Sequence, residues 1–546
     1  MVDILQVFLQ KIIATDLDGK PISRLLLARR GTSASLSKSL AKARIGNAKN
    51  VLCSSWISYR KEWVKLCSDR GESFCIRANG FCPPTNTKEK QHMSESVFLH
   101  TQDQLKQLAQ DVLRYAREKG ASNAAVDISE GSGLSVGVRK GGIETIEQNK
   151  DKGMGVTVYL GEERHTRRGN ASTSDFSAQS LKDTVDAAYN IARFTAEDDC
   201  AGLPDAEMLE MQPLDLKLCT PWSITTEEAV ELAKRCEAAA FAVDKRITNS
   251  EGAGVYAQQS HFVSANSRGF IGGYPFSRHT LSVSPIAGKG GKMQRDSWYS
   301  SVRDPKKLAK PEAIGRYAAE RALARLNARQ LDTRKCPVLF EAPLASGLLG
   351  AFVQAVSGGA LYRKSTFLLD ALGKSVFASH IQIVEDPHII GAVSSAPFDD
   401  EGVQTHRRDV VKDGVVQGYF LSTYSARKLG MTTTGNAGGS HNLALTSSLT
   451  VAGDNFKAML KKLHTGLLVT ELMGSGVNYV TGDYSRGASG YWVENGVIQY
   501  PVEEITIAGN MKDMLAQIVA IGADTLTRGS SLTGSILIES MTVAGN

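Results

Sequence analysis

The stretch from Ala345 to Leu369 constrains the chain more than any other. Gly347, Gly350, Ala351 and Ala355 stud an apolar run from Leu348 to Val356 whose length suits a helix over 347–356. A helix this rich in glycine has poor intrinsic propensity, so the surrounding protein must hold it. Its small residues suit the close approach of another backbone or a ligand. Gly358 and Gly359 follow, a pair that favours a left-handed break. A basic, hydroxyl-bearing loop, Arg363-Lys364-Ser365-Thr366, comes after them. A fold built on such a helix needs a large scaffold, and 546 residues supply two to four domains.

The charge is unevenly placed. The net charge is +6, yet residues 1–92 hold 16 Lys and Arg against 7 Asp and Glu, leaving −3 for the rest. A nucleic-acid face would keep its basic excess in the folded body, so nucleic acid is not an expected partner. Residues 1–92 lack sustained periodicity and end in the polar linker Pro83 to His92; they are expected to be a poorly ordered extension, with Met93 as the true start. Cys53, Cys67, Cys75 and Cys82 fall there without the paired spacing of a zinc module. No apolar run approaches the ~20 residues of a membrane span, and a secretory signal is not expected from the N-terminal run Ile4 to Ala14, which Gln6, Gln10 and Lys11 interrupt. The expected location is cytoplasmic.

Three domains are expected beyond residue 92: 93–200, 205–328 and 333–546. In the first, Thr101 and Gln104 have capping-box spacing before a helix that ends at Gly120. Strands are expected at 124–129, 133–139, 143–148 and 154–160, and a helix at 178–194. The basic cluster 164–168 reads as a solvated edge. In the middle domain Thr225 and Glu228 repeat the capping box, and Ala229, Leu232, Cys236, Ala239 and Val243 mark a buried helix face. Strands follow at 253–258, 261–265 and 279–285, then a helix at 311–326. The last domain is strand-rich. Asp413-Gly414 and Asn495-Gly496 each mark a two-residue hairpin. Further strands are expected at 337–341, 381–385, 443–451, 466–472 and 535–544, and helices at 454–463 and 510–520. The class is α+β: a mixed N-terminal domain, an α+β middle domain, and a C-terminal domain of mainly antiparallel sheets.

No self-sufficient catalytic set appears. There is no H-E-x-x-H, and His380 and His388 are separated by Pro387, against a shared strand. Ser425-Ala426-Arg427-Lys428 fits S-x-x-K without a companion motif. The segment Gly482 to Gly487 begins like a phosphate loop, but Ala488-Ser489 replaces the required Lys-Ser/Thr. Asp483, Ser485 and Arg486 either line a cleft or form an Asp–Arg pair that shapes a turn.

Several runs resemble the PmbA/TldE subunit of the TldD–TldE metalloprotease family, also called the modulator of DNA gyrase family. They include Ala187 to Arg193, Asp244 to Asn249, Tyr362 to Lys374, Pro397 to Val403, Ser422 to Gly430, Thr470 to Gly474, Gly482 to Gly487 and Tyr491 to Gly496. The resemblance implies a heterodimer with a TldD-like subunit. That partner carries an H-E-x-x-x-H helix and a later cysteine that hold a catalytic zinc. The pair would enclose a chamber admitting unfolded peptide as an added strand, with peptide-antibiotic precursors and antitoxins as family substrates. Anchored on Arg363, the partner's two histidines fall at Gly350 and Ala355, its glutamate at Ala351, and its cysteine near Thr533. None of these supplies a His or thiolate ligand, and Ala351 cannot act as a base. The resemblance therefore implies a pseudo-enzyme subunit with no metal or cofactor of its own, and with Gly358, Gly359, Arg363, Lys364, Asp483, Ser485 and Arg486 as candidates to face the chamber or partner. An independent peptidase and a gyrase-modulating binding protein are the alternatives.

Overall fold

The computed structural model describes residues 97–162 and 165–545; the expectations for 1–92 and for Arg164 lie outside the described residues. The fold is α+β, with antiparallel pairing dominant and a strand-rich C-terminal part.

The first sheet is wholly antiparallel. Its order is β3 (Arg167–Thr173), β2 (Gly142–Leu160), β1 (Asn123–Arg139), β4 (Ile247–Asn266), β6 (Pro275–Ala287) and β7 (Gln294–Arg295), with β5 (Ile271–Gly272) on β4 and β8 (Trp298–Val302) on β6. One sheet thus carries the strands of both 123–173 and 247–302. β1 is one strand where two were expected. Gly131 and Gly133 sit mid-strand, but each is paired on both sides, to Asp151 and Asn149 of β2 and to Ser260 and Gln258 of β4. Pairing on both edges outweighs the weak strand preference of glycine. The same holds for β4, whereas β2 joins its two expected strands through residues 149–153, which pair with β1 alone. Lys140 and Gly141 turn the β1–β2 hairpin with φ of 51° and 73°.

Even-numbered side chains of β1 face the helices. Val126 and Ile128 pack with α1 (Gln102–Glu118) and α2 (Ala178–Phe194). Val136 and Val138 pack with α3 (Thr226–Phe241) and α4 (Pro311–Ala324). Both expected capping boxes form, at Thr101–Gln104 and Thr225–Glu228. The buried face of α3 is Ala229, Val230, Ala233, Cys236, Glu237 and Ala240, so Leu232, Ala239 and Val243 lie off its centre. Glu237 explains the shift: buried, it accepts the Lys140 and Gly141 N–H groups at 2.9 and 2.8 Å, docking the hairpin tip on the helix.

The C-terminal part holds two six-stranded sheets. One has the order β12 (Val415–Val416), β11 (Arg408–Lys412), β10 (Ile381–Asp386), β13 (Asn442–Ser447), β19 (Ser531–Thr533), β18 (Leu526–Arg528). The other has β16 (Val497–Asn510), β15 (Asp483–Glu494), β14 (Gly466–Met473), β9 (Arg334–Phe340), β20 (Ile536–Ala544), β17 (Ile518–Ile521). Only β13–β19 and β14–β9 are parallel. Both expected two-residue turns form, with φ of 50° and 77° at Asp413-Gly414 and 52° and 75° at Asn495-Gly496.

Helix α5 (Ala342–Ala355) packs against β18 and β19 of one sheet and β14 of the other. Its Leu348, Leu349 and Phe352 join a core drawn from both sheets. It starts five residues before the expected 347, because Pro343 in the first turn suits a helix start. The expected left-handed break at Gly358-Gly359 does not occur, since neither residue has positive φ. Instead α5 ends at Ala355, Ser357 caps a new turn, and both glycines open α6 (Gly358–Tyr362).

Candidate functional site

The region around α5 collects most of the residues singled out by sequence. Gly347 and Gly350 lie on its exposed side, where an added Cβ would meet nothing within 4 Å. Ala351 is 5% exposed and Ala355 fully buried. Thr533, on β19 against the same helix, is fully buried, and its hydroxyl donates to the Gly534 carbonyl at 3.2 Å. Gly350, Ala351 and Ala355 therefore carry no metal-binding side-chain atom, and they point in different directions. These residues do not fit a catalytic zinc.

Gly358 is buried against α7 (Thr423–Lys428) of the same chain: an added Cβ would fall 2.2 Å from Ser425 Oγ. Beside Gly359 lies the Arg363 guanidinium. Arg363 and Lys364 are exposed. Arg363 donates to the Tyr362 hydroxyl at 2.9 Å and lies over the Tyr362 ring. Lys364 holds φ at 53°.

Ser425 closes a capping box with Ser422, and Lys428 turns away to Asp198 and Asp199 at 2.9 and 3.2 Å. The S-x-x-K spacing is therefore a helix cap and an ion pair. Burial opposes ionisation of Asp198, yet Lys428, the Cys200 N–H and the Tyr424 hydroxyl hold its pKa down to about 2. Asp198, Asp199 and Cys200 are the one grouping of potential metal ligands among the described residues. The Lys428 ammonium is bonded to both carboxylates, and burial, with Asp199, raises the Cys200 thiol. His380 binds Ser447 and the Ile518 carbonyl, while His388 binds Thr405; neither lies on β10.

The segment 482–487 divides along its strand. Adjacent residues of β15 face opposite sides. Asp483 and Ser485 are exposed, and Asp483 accepts from Thr481 Oγ1 at 2.6 Å and Asn510 Nδ2 at 3.2 Å. Tyr484 and Arg486 face the other way, into a cavity of about 420 Å³ against the first half of α5. No ion pair joins Asp483 to Arg486, so the pair proposed to shape the turn is absent. The cavity wall includes Leu344, Leu348, Ala351, Leu472, Val477 and Tyr479. Tyr484 is 3% exposed. Its hydroxyl and the Arg486 Nε are buried without a hydrogen-bond partner. Burial pushes the Tyr484 phenol up to about 12, with the nearby Arg486 charge opposing. Sequence reasoning missed Tyr484, though its alternation with Ser485 was a usable signal.

A second cavity, about 480 Å³, lies where the run Pro397 to Val403 meets the first sheet. Phe262, Tyr274 and Phe398 pack edge-to-face along it. Asp399 accepts the N–H groups of Glu401, Val403 and Ala437, shaping the loop. Burial pushes its carboxyl up to about 7, with Glu401 adding to the shift.

Models of the PmbA/TldA metallopeptidase match in three parts: domain 1 over residues 124–192, the central domain over 219–326, and the C-terminal domain over 333–545. The chain is 48% identical to the metalloprotease PmbA of Escherichia coli O157:H7, over 78% of this chain and 93% of that one. It is 44% identical to the PmbA homologue of Haemophilus influenzae, over 83% and 99%. A crystal structure from Bacteroides thetaiotaomicron, described as a modulator of DNA gyrase, superposes with a TM-score of 0.75 at 27% identity, over 81% and 99%. TldE from Thermococcus kodakarensis shares the fold, with a TM-score of 0.69 at 18% identity, over 80% and 100%.

Proposed function

The chain belongs to the PmbA/TldD metallopeptidase family, and we propose that it is the non-catalytic subunit of a two-chain peptidase, paired with a TldD-like chain that holds the zinc. The observation that carries the reading is the chemistry of α5. At the positions where the resemblance places two histidines, a glutamate and a later cysteine, this chain has Gly350, Ala355, Ala351 and Thr533. Neither a ligand set nor a base can be assembled from them.

Two further observations support a partner. Haemophilus influenzae has both a PmbA homologue and a TldD homologue similar to this chain, the second at 25% identity. The exposed side of α5 at Gly347 and Gly350 has open space over it, room for a second chain to pack closely. In this reading the subunit walls the chamber and supports the catalytic half, and unfolded peptides are the substrates. The chain itself carries no cofactor. Its place of work is the cytoplasm; among the described residues no helix is long and apolar enough to cross a membrane.

The test is proteolysis of an unfolded peptide by this chain alone, by the TldD-like chain alone, and by the mixture. The mixture should cleave and this chain alone should not. Chelator-sensitive cleavage by this chain alone would overturn the assignment and revive an independent peptidase.

A further inference from the structure

The cavity between α5 and β15 has a property that the lost metal chemistry does not explain. Its one charged group is a cation, Arg486, with Tyr484 beside it and the hydroxyl-bearing Ser346, Ser475 and Tyr479 also lining it. No carboxylate lines the cavity. The nearest acid along the strand, Asp483, faces the opposite side and is bonded to Thr481 and Asn510. A buried donor without a partner costs about 1–3 kcal/mol, so buried polar groups left open in a folded protein call for a specific reason. Here the Tyr484 hydroxyl and Arg486 Nε lie against each other at one cavity wall, and neither has another partner.

The rest of the wall limits what the ligand can be. Leu344, Leu348, Leu472 and Val477 are apolar. They suit a hydrocarbon side chain next to the charged group. One guanidinium matches one negative charge; a phosphate dianion would call for a second cation. A carboxylate fits the planar guanidinium fork in charge and shape.

We propose that this cavity receives a carboxylate of a bound peptide, with Arg486 as its counter-charge, Tyr484 positioning the guanidinium from behind, and the adjoining peptide side chain against Leu344, Leu348 and Leu472. The inference rests on the reading of this chain as a peptide-handling subunit and assigns that subunit a binding role of its own. The helix that lost its catalytic residues keeps a wall of a peptide subsite.

Isothermal titration calorimetry on the full chain, without partner, tests it at low salt. Three short peptides free of other acidic groups serve as probes: one with a free C-terminal carboxylate, its C-terminal amide, and the amide carrying one glutamate. The free acid should bind about tenfold tighter than the plain amide, the effect of one charge-assisted contact. Tight binding of the glutamate peptide as well would assign the cavity to carboxylates in general; binding of the free acid alone would assign it to chain ends. R486M should bind acid and amide equally. Y484F should narrow the acid preference while the fold, read by circular dichroism, is unchanged. Should R486M not fold, R486K takes its place and should cut the preference several-fold. Equal binding of acid and amide by the unaltered chain, absent binding, or a preference that survives at position 486 would overturn the proposal. Cleavage is not read here, so the two failures separate. Hydrolysis by this chain alone removes the subunit reading, whereas a mixture that cleaves without any acid preference removes only the cavity.

Discussion

Removal of the Glu385 charge should destabilise the chain by about 3 kcal/mol at neutral pH and by much less in acid. Glu385 is 1% exposed. One of its oxygens accepts from Arg408 Nε at 2.7 Å, the other from the His441 N–H at 2.8 Å and Asn436 Nδ2 at 2.9 Å. The carboxylate thereby ties β10 and β11 to the loop at 436–441, which walls the second cavity. Burial opposes its ionisation, yet His441 and Arg408 hold it at about 2, against an ordinary 4.5. That gap, at 1.36 kcal/mol per pH unit, corresponds to about 3 kcal/mol. The sign follows from the depressed folded-state pKa. The stabilisation is fully present above pH 4.5 and is lost as pH falls from there to about 2. In E385Q the amide nitrogen would face Arg408 and leave that guanidinium without its counter-charge, at a similar cost. Urea midpoints of the unaltered chain and E385Q, compared at pH 7 and near pH 3, are the assay. A gap that is wide at pH 7 and narrows toward pH 3 is expected. A gap of the same size at both values, or below about 1 kcal/mol at pH 7, would refute the argument that the ionised carboxylate carries the network.

Other perturbations have equally definite outcomes. Gly358→Ala places a methyl 2.2 Å from Ser425 Oγ and should cost about 1–3 kcal/mol, read as a lowered urea midpoint; Ser425→Gly in the same chain should restore part of it. Arg363→Ala should leave the melting temperature unchanged, because Arg363 is exposed and its one donor goes to the adjacent Tyr362, and any effect should fall on the peptidase activity of the mixture. Purified alone, the chain should hold no stoichiometric zinc by elemental analysis; one zinc per chain that survives mild chelation would reverse the subunit assignment.

How far the sequence could be read depended on whether the controlling interaction was local. Both capping boxes and the Asp413-Gly414 and Asn495-Gly496 turns were legible, because a few adjacent residues decide them. The hairpin strands were misjudged where tertiary pairing won, as at Gly131 and Gly133, held between two neighbours. Gly358 was read as a backbone device when its role is steric. It takes ordinary φ, and its missing side chain makes room for Ser425, a residue 67 positions away. At the candidate site the residue types were visible but their directions were not. Asp483, Ser485 and Arg486 looked like one cluster, and strand alternation sends Arg486 to the far side with Tyr484.

Direction also decides whether α5 could take the ligands that the resemblance gives to the partner's helix. Position 350 is open and position 355 is closed, so the two should respond oppositely to substitution. Gly350→Ala adds a methyl that meets nothing within 4 Å and removes a mid-helix glycine, so it should stabilise the chain by up to ~1 kcal/mol. Ala355→His forces an imidazole into a fully buried site packed by both C-terminal sheets, and should cost more than the 1–3 kcal/mol of ordinary overpacking, because the ring nitrogens also lose water. A chain carrying Gly350→His, Ala351→Glu and Ala355→His together should therefore melt well below the unaltered protein and gain no zinc-dependent cleavage. Thermal unfolding and elemental analysis of the single and triple variants decide it. A triple variant that melts normally and takes up one zinc would show that α5 can still be turned into a metal helix. The buried side of α5 would then have been misjudged. The expected failure would mean instead that the core is closed at the positions the resemblance gives to ligands, so that the helix serves to join the two sheets and to carry one wall of the Arg486 cavity.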